Sequence, residues 1–267
     1  MNLLTDKKII LASSSPRRLD LLRQAGVEPE IFPVQVQERQ ELEGLSAETL
    51  VIYNATLKAQ TAAEEWKAKG GEPGLILGAD TVVVQEGRLF GKPADAAEAA
   101  AMLFTLSGAG HSVFTGQCLI DSRTGATVAA ARETKVTFDR MSEEAIVGYV
   151  ASGEPLDKAG AYGMQGLGGL FVRSIEGDYS TVVGLSLPLL YQMVHQLDSV
   201  QLEQLEQPVP EAVPEPAPAE ATEAPETAPP SPEEAEKQEI HAAVAAAFAE
   251  AGPEAAAEAA QSLPVEE

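Results

Sequence analysis

The 267-residue chain has almost no cysteine, since Cys118 is the only one. A single thiol cannot form an internal disulfide, and structural zinc sites built from several thiolates are excluded for the same reason. Small secreted domains often depend on such cross-links, whereas proteins of the reducing cytoplasm do without them. We therefore expect a cytoplasmic protein.

Positive charge is also scarce. The chain has 18 Lys and Arg residues against 41 Asp and Glu, which gives a formal net charge of −23 at pH 7. Sequence-independent binding to nucleic acid phosphates requires clustered basic residues, and so does binding to an anionic membrane surface. We therefore expect neither a nucleic acid nor a membrane as a partner.

Long apolar runs are missing as well. No stretch approaches the roughly 18 consecutive apolar residues that are needed to cross a bilayer. The chain starts MNLLTDKKIILASSSP, and its short apolar run lacks the longer apolar centre of a signal peptide. The sequence thus predicts a soluble protein that is not exported.

The acidity is uneven and divides the chain. After Leu197 lie 17 of the acidic residues but only one basic residue, together with 11 of the 18 prolines and a single glycine. Such a composition cannot bury enough apolar area to offset chain entropy. We predict a domain over residues 1–197, a linker rich in Pro, Glu and Ala over 198–232, and a disordered, acidic and Ala-rich tail over 233–267.

The tail contains a candidate helix with Ile240, Val244 and Phe248 on one face. Such a face can dock on a partner, whose identity the sequence does not reveal. Alternatively, an Ala-rich helix with so few large side chains frays in water. The small number of large apolar residues on this face favours this second interpretation.

Within the first 197 residues, short apolar or β-branched runs alternate with helical segments. The predicted strands cover residues 8–12, 75–84, 116–121 and 132–138, and the predicted helices cover residues 18–25, 47–68, 95–106 and 142–152. Strands interleaved with helices indicate an α/β layered domain. The hairpin-like stretch 110–138 predicts antiparallel pairing, so we expect a mixed sheet flanked by helices.

The first motif joins a predicted strand to a predicted helix. Residues 8–12 are followed by three serines, Pro16 and the pair Arg17 and Arg18. Proline in the first turn after a serine cap is a typical helix start, and it aims backbone N–H groups, serine hydroxyls and guanidinium groups at one point. This arrangement predicts a phosphate site, and the alternative is an ordinary capped helix with solvated arginines.

The second motif is an aspartate within a strongly apolar strand. Asp80 lies inside the run from Leu75 to Val84, where a carboxylate is costly to bury unless it binds a metal, pairs with a base or faces a cleft. About ten residues later, Lys92 stands in a tight turn between Gly91 and Pro93. A strand-end aspartate that caps a turn is the alternative interpretation.

The third motif, residues 154–166, combines glycines with carboxylates, Lys158 and Gln165. A high density of glycines and polar side chains is typical of a loop that brings its backbone close to a ligand, although glycine alone is a weak indicator. A fourth stretch, residues 175–185, reads as a loop that leads into a final helix, and we assign it a structural role.

Together these segments resemble one family. The chain contains SSSPRR at 13–18, KA at 58–59, GADTVV at 78–83, GKP at 91–93, SVFTG at 112–116, EPLDKAGAYGMQG at 154–166 and IEGDYSTVVGL at 175–185. Their order and spacing are similar to those of the Maf family of nucleoside triphosphate pyrophosphatases. The resemblance covers residues 8–197. It implies an elongated mixed sheet with a cleft between two lobes, as in inosine triphosphatases.

The resemblance also implies roles for ten residues and a metal. Asp80 would be the general base or a metal-supporting carboxylate, and Glu38 would help it to hold Mg²⁺ or Mn²⁺. The remaining residues would bind the nucleotide, with base preference set by Arg17, Thr81 and Gln165 and phosphate contacts made by Ser13, Ser15, Arg18, Lys58 and Lys92. The DKAGAYG form resembles the subgroup that acts on dTTP and UTP.

The expected reaction is hydrolysis between the α and β phosphates, which gives a monophosphate and pyrophosphate. Cleavage requires that charge be neutralised on the attacked phosphorus and on the leaving group. Arginines, lysines and a divalent cation can supply this, and a carboxylate beside the metal can activate water. The resemblance thus predicts a house-cleaning hydrolase. Because family members are often dimeric, we also expect a homodimer.

Two other classes of function compete with this one. The chain could be a regulatory module in cell-division control that binds nucleotides, hydrolyses them weakly or not at all, and recruits partners through its acidic tail. A nucleotidyltransferase with the same arginine-rich entry loop is the weaker alternative. Retention of Asp80 beside Lys92 favours hydrolysis over simple binding.

Four positions depart from the family pattern. Gln37 stands where most members have Asp, and Thr56 replaces an Arg two positions before the KA lysine. Thr181 and Ser186 replace the usual Asn and Pro. Losing a carboxylate at 37 could lower metal affinity, while losing a guanidinium at 56 removes either a phosphate contact or a buried ion pair. The three histidines show no spacing that indicates a metal cluster or a catalytic triad.

Overall fold

The computed structural model describes residues 4–40 and 44–204, with side chains described up to residue 198. The predicted tail helix and nearly all of the predicted linker lie outside the described residues.

A mixed sheet forms the centre of the domain, as the sequence predicts, but it has seven strands, of which the sequence analysis identifies four. Its strands are β1 (Ile9–Leu11), β2 (Glu30–Ile31), β3 (Leu75–Gln85), β4 (Arg88–Phe90), β5 (Gly110–Asp121), β6 (Thr127–Phe138) and β7 (Val172–Glu176). The order is β2-β1-β3-β5-β6-β7, and β4 pairs with β3. β1 runs parallel to β2 and β3, whereas the other pairs are antiparallel.

Helices flank this sheet. They are α1 (Pro16–Gln24), α2 (Ala47–Ala68), α3 (Ala96–Leu106), α4 (Glu143–Ala151), α5 (Tyr179–Val183) and α6 (Leu187–Gln204). The side chains of Ser46, Asp95 and Ser142 each accept a backbone N–H at the start of a helix. The boundary predicted after residue 197 falls within α6 and stays a prediction.

Helix α2 lies directly against the sheet because two strand residues have no side chain. A Cβ on Gly78 of β3 would meet the carbonyl oxygen of Ala55, and a Cβ on Gly116 of β5 would meet the carbonyl group of Val51. Gly116 is the ladder partner of Asp80. The two glycines therefore let the α2 backbone approach the sheet beside Asp80.

Two large apolar clusters form the two lobes. One surrounds Phe90 and Phe138 and packs α3 and α4 against β5 and β6. The other includes Leu11 and Leu77 and packs α1 and α6 against β1 and β3. Residues of both clusters line the cleft described below, which confirms the predicted cleft between two lobes. Among the described residues, no helix is both long and apolar enough to cross a membrane.

Candidate active site

One cleft of about 700 Å³ is lined by all ten residues that the sequence analysis singles out. They come from the end of β1, the start of α1, α2, β3 and three connecting segments. They are Ser13, Ser15, Arg17, Arg18, Glu38, Lys58, Asp80, Thr81, Lys92 and Gln165. Residues far apart in sequence therefore meet in a single site.

The start of α1 presents Arg18 to this cleft. Its Nε donates to the carbonyl oxygen of Gly184 at 2.7 Å and its Nη1 donates to Oγ of Ser13 at 3.0 Å. Nη2 donates to Oγ1 of Thr81 at 3.3 Å. Burial lowers the pKa of the Arg18 guanidinium, while the nearby Asp80 carboxylate acts in the opposite direction. These neutral partners hold the guanidinium in place without neutralising its charge.

The serine cap of α1 differs from the prediction. Ser15 occupies the cap position and Pro16 starts the helix, as expected, but the Ser15 side chain accepts no N–H of the helix. Instead, Oγ of Ser13 accepts the Ser15 backbone N–H at 3.2 Å as well as the bond from Arg18. The first turn of α1 therefore lacks a side-chain cap, and N–H groups without such a partner are available to an anion.

Asp80 lies at the centre of the site and is almost fully buried, as is Lys58. The Lys58 ammonium lies 2.8 Å from Oδ1 of Asp80 and 3.0 Å from Oε1 of Glu38. It also donates to the carbonyl oxygen of Ala79. Lys58 therefore joins the two carboxylates that the resemblance assigns to metal binding.

Asn54 is a site residue that the sequence analysis missed. Its Nδ2 donates to Oδ2 of Asp80 and to the carbonyl oxygen of Arg39, each at 3.0 Å. Its Oδ1 accepts the Arg39 backbone N–H, also at 3.0 Å. A single buried amide thus ties the segment that carries Glu38 to Asp80. The available indication was its position four residues before Lys58, which places both on one helix face.

Asp80 and Glu38 are the candidate ligands for a divalent cation in this cleft. One oxygen of each contacts the Lys58 ammonium, at 2.8 Å for Asp80 and 3.0 Å for Glu38, so Lys58 occupies the position between these two oxygens. Within the described part of the chain, no three His, Cys, Asp or Glu side chains could hold a metal together. Mg²⁺ often binds through one or two carboxylates and takes its other ligands from water and phosphates. Asp80 and Glu38 supply two such carboxylates, and a cation bound between them would have to displace the Lys58 ammonium.

A further part of the cleft wall carries Arg17, Lys92 and Gln165. The Arg17 guanidinium lies 3.5 Å from the carboxylate of Asp157, which also accepts from Lys158 at 2.6 Å. Burial tends to raise the pKa of Asp157, but these two cations and local hydrogen bonds lower it. Lys92 and Gln165 are exposed at this wall, where a ligand can reach them.

Two of the departures from the family pattern lie outside the cleft. Gln37 and Thr56 are not among its lining residues. The Thr56 hydroxyl is hydrogen-bonded to Cys118, whose pKa burial raises to about 11. Thr56 therefore contributes no side chain to the cleft.

The other two departures share one partner. The hydroxyls of Thr181 and Ser186 donate to Oδ2 of Asp178 at 2.8 and 2.7 Å. Ser180 donates to the same carboxylate. Burial tends to raise the pKa of Asp178, but these hydroxyls lower it. They fix the turn that presents the Gly184 carbonyl to Arg18.

Comparison with known proteins places the chain in a family. The model of the family described as Maf-like protein matches residues 8–197. A protein of Gloeobacter violaceus named dTTP/UTP pyrophosphatase is 46% identical over 191 residues, which is 72% of this chain and 96% of the relative. Proteins of the same name from Bacillus cytotoxicus and Dictyoglomus thermophilum are 46% and 42% identical and are covered to 97% and 96%.

A solved structure titled as a nucleoside-triphosphatase or dITP/XTP pyrophosphatase of Mycobacterium abscessus also matches. It shares 20% identity with a TM-score of 0.32, and the match covers 50% of this chain and 75% of the other. That likeness is too remote to bear on function. The family match and the close relatives show that the chain belongs to the Maf-like protein family.

Proposed function

We propose that this protein is a nucleoside triphosphate pyrophosphatase that hydrolyses dTTP and UTP to the monophosphate and pyrophosphate. The observation that carries the proposal is the cleft itself, in which Arg18, Lys58 and Lys92 stand with the buried carboxylate of Asp80. The relatives named dTTP/UTP pyrophosphatase support the choice of substrate.

The basic residues of the cleft suit a triphosphate. In a largely acidic protein, six cationic side chains line this one cleft with the start of a helix, which is a favourable place for phosphate. Arg18 is held by neutral partners and keeps its charge available for a ligand. Placed against phosphates, such groups stabilise the negative charge that develops on a leaving pyrophosphate.

Asp80 is the group that we assign to proton transfer. Its two oxygens accept from Lys58 and Asn54, which fixes the orientation of the carboxylate in the cleft. So held, it can take a proton from a water that attacks the α-phosphate. Glu38 and Asp80 would also hold a divalent cation, and that ion would polarise the phosphate oxygens and neutralise their charge.

Base preference is assigned to Arg17, Thr81 and Gln165. Gln165 and Arg17 line the wall formed by residues 157–165, and Gln165 is exposed there. An exposed amide can both donate to and accept from the edge of a pyrimidine base. The Thr81 hydroxyl contacts Thr115 and Arg18, so it acts on the nucleotide through the placement of that guanidinium.

A cytoplasmic location and a homodimer complete the proposal.

The test is pyrophosphate release from dTTP, UTP, CTP and GTP with Mg²⁺ or Mn²⁺. We expect metal-dependent turnover of dTTP and UTP, and we expect Asp80→Asn to abolish it while nucleotide binding persists. Asp139→Asn is the matched control, because Asp139 is exposed and pairs with Arg173 away from the cleft. Full activity of Asp80→Asn would refute the role of Asp80. Nucleotide binding without turnover by the wild type would instead favour the regulatory module.

A further inference from the structure

The segment that carries Gln165 has almost no regular secondary structure of its own. We call residues 163–168 the 163–168 loop. Gly163, Met164 and Gln165 line the cleft. The loop contains three glycines, and glycine-rich backbone loses much conformational freedom when it folds. A fixed Gln165 therefore requires contacts that hold this backbone in place.

A carboxylate and a phenol provide those contacts. Oε2 of Glu154 accepts the backbone N–H of Leu167 at 2.9 Å, and Oε1 accepts that of Gly168 at 3.2 Å. The hydroxyl of Tyr149 donates to Oε1 of Glu154 at 2.9 Å and accepts the backbone N–H of Gly163 at 3.0 Å. Both ends of the 163–168 loop are thus hydrogen-bonded to Glu154 and Tyr149, which are also hydrogen-bonded to each other.

The glycines of the loop pack against this pair. A Cβ on Gly166 would lie 2.3 Å from Oε2 of Glu154, and a Cβ on Gly168 would lie 2.5 Å from the Tyr149 hydroxyl. Such distances are far below van der Waals contact. The absence of side chains at these positions is therefore required by the close approach of the loop to Glu154 and Tyr149.

The environment keeps the Glu154 carboxylate ionised. Burial tends to raise its pKa, but the N–H groups of Leu167 and Gly168 and the Tyr149 hydroxyl lower it overall. Burial raises the pKa of Tyr149, so its hydroxyl remains a donor. The hydrogen bonds between these groups are charge-assisted, which makes them stronger than those between neutral groups.

Neither residue reaches the cleft. Glu154 and Tyr149 are absent from its lining, whereas the loop that they hold forms part of its wall. We propose that Glu154 and Tyr149 are a positioning pair that fixes the 163–168 loop and thereby sets the discrimination between pyrimidine bases. This inference rests on the proposed function, because it assigns the loop to base recognition.

The test uses Glu154→Gln and Tyr149→Phe. The glutamine keeps the length of the side chain but turns an N–H donor towards backbone N–H groups, and the phenylalanine keeps the ring without the hydroxyl. We expect the preference for UTP over CTP, measured as the ratio of kcat/KM, to fall about tenfold in both variants. We expect the loss to lie mainly in KM for UTP, because Asp80 and its partners are untouched.

A second readout does not depend on activity. Hydrogen exchange of the Leu167 and Gly168 amides is expected to accelerate in Glu154→Gln, because each amide loses its carboxylate acceptor. Glu144→Gln is the matched control, since this exposed glutamate lies on the same helix as Tyr149. It should change neither exchange at the loop nor base preference. Glu154→Asp, which keeps the charge with a shorter reach, should recover part of the preference.

Two results would overturn the inference. One is unchanged amide exchange in Glu154→Gln. The other is an equal loss of kcat/KM for UTP and CTP, as a merely structural role would produce. Failure of the proposed function has a different signature, because the wild type itself would then release no pyrophosphate. In that case the relative affinities of UTP and CTP, measured by calorimetry in the same variants, would decide the inference.

Discussion

The ammonium nitrogen of Lys58 lies 2.8 Å from Oδ1 of Asp80, and both side chains are nearly excluded from water. One comes from α2 and the other from β3, so this pair joins a helix to the centre of the sheet. Removing one partner of a buried pair leaves an uncompensated charge, which is costly. The pair is thus both a structural contact and the centre of the candidate active site.

We expect Lys58→Met to lower both stability and turnover. Loss of the ammonium leaves Asp80 buried with Asn54 as its remaining donor, which should reduce the free energy of unfolding by about 3 kcal/mol. We expect kcat to fall by at least about 100-fold, since a charge beside the carboxylate that we assign to proton transfer is lost. Urea denaturation and pyrophosphate release measure the two effects. Lys67→Met, on the exposed side of α2, is the control, and equal effects of both variants would contradict the prediction.

Asn54→Asp tests whether the buried amide is needed as a donor to Asp80. The substitution conserves shape but places a second carboxylate at the 3.0 Å distance now spanned by an N–H donor. Like charges that close in a buried site disfavour each other strongly. We expect a loss of about 2 kcal/mol or more in the free energy of unfolding at neutral pH.

Asn54→Ala serves as the control for this prediction. It removes the hydrogen bonds of the amide without adding charge, so its melting temperature should lie between those of the wild type and Asn54→Asp. If the two variants melted at the same temperature, charge repulsion at Asp80 would be excluded as the cause.

The sequence indicates most of this site because its chemistry lies in local motifs. Residues 13–18 follow the end of β1, where α/β proteins place their ligands, whereas residues 78–83 lie within β3. The resemblance adds Glu38 and Lys58 to these motifs. Asn54 escaped prediction because its role depends on an approach between α2 and β3 that no local pattern encodes. Glu154 was seen only as one carboxylate of a glycine-rich loop, since its partners are backbone N–H groups.

His111 provides a prediction about pH. It is buried in β5, its Nε2 contacts the Tyr162 hydroxyl at 2.9 Å, and its Nδ1 has no hydrogen-bond partner within the described residues. Burial lowers its pKa from 6.5 to about 4. The unfolded chain therefore binds a proton between these values while the folded protein does not.

It follows that protonation of His111 destabilises the protein as the pH falls from about 6.5 to about 4. Within this window, His111 lowers the free energy of unfolding by up to about 1.4 kcal/mol for each pH unit that the pH falls. We expect His111→Phe to remove this part of the pH dependence of the free energy of unfolding, which urea denaturation measures. His195→Gln, at an exposed position of α6, should leave it in place. An unaltered slope in His111→Phe would show that other groups govern acid stability.

Gly78→Ala tests the contact between α2 and the sheet. The added Cβ would lie 2.2 Å from the carbonyl oxygen of Ala55 and 2.8 Å from the backbone nitrogen of Ala59. Both atoms belong to the backbone of α2, so the helix must move away from β3 to make room. Because Asn54 and Lys58 flank these residues on the helix, their hydrogen bonds to Asp80 must lengthen. We expect a loss of about 3 kcal/mol in stability, and turnover reduced more than tenfold.

Gly148→Ala is the matched control for this substitution, because a Cβ at that position of α4 meets no atom within 4 Å. Alanine is favoured over glycine inside a helix by about 1 kcal/mol, so Gly148→Ala should stabilise the protein slightly and leave turnover unchanged. Thermal denaturation and pyrophosphate release compare the two variants directly. If Gly78→Ala were as stable and active as the wild type, close packing of α2 on β3 would not be needed to hold Asn54 and Lys58 against Asp80.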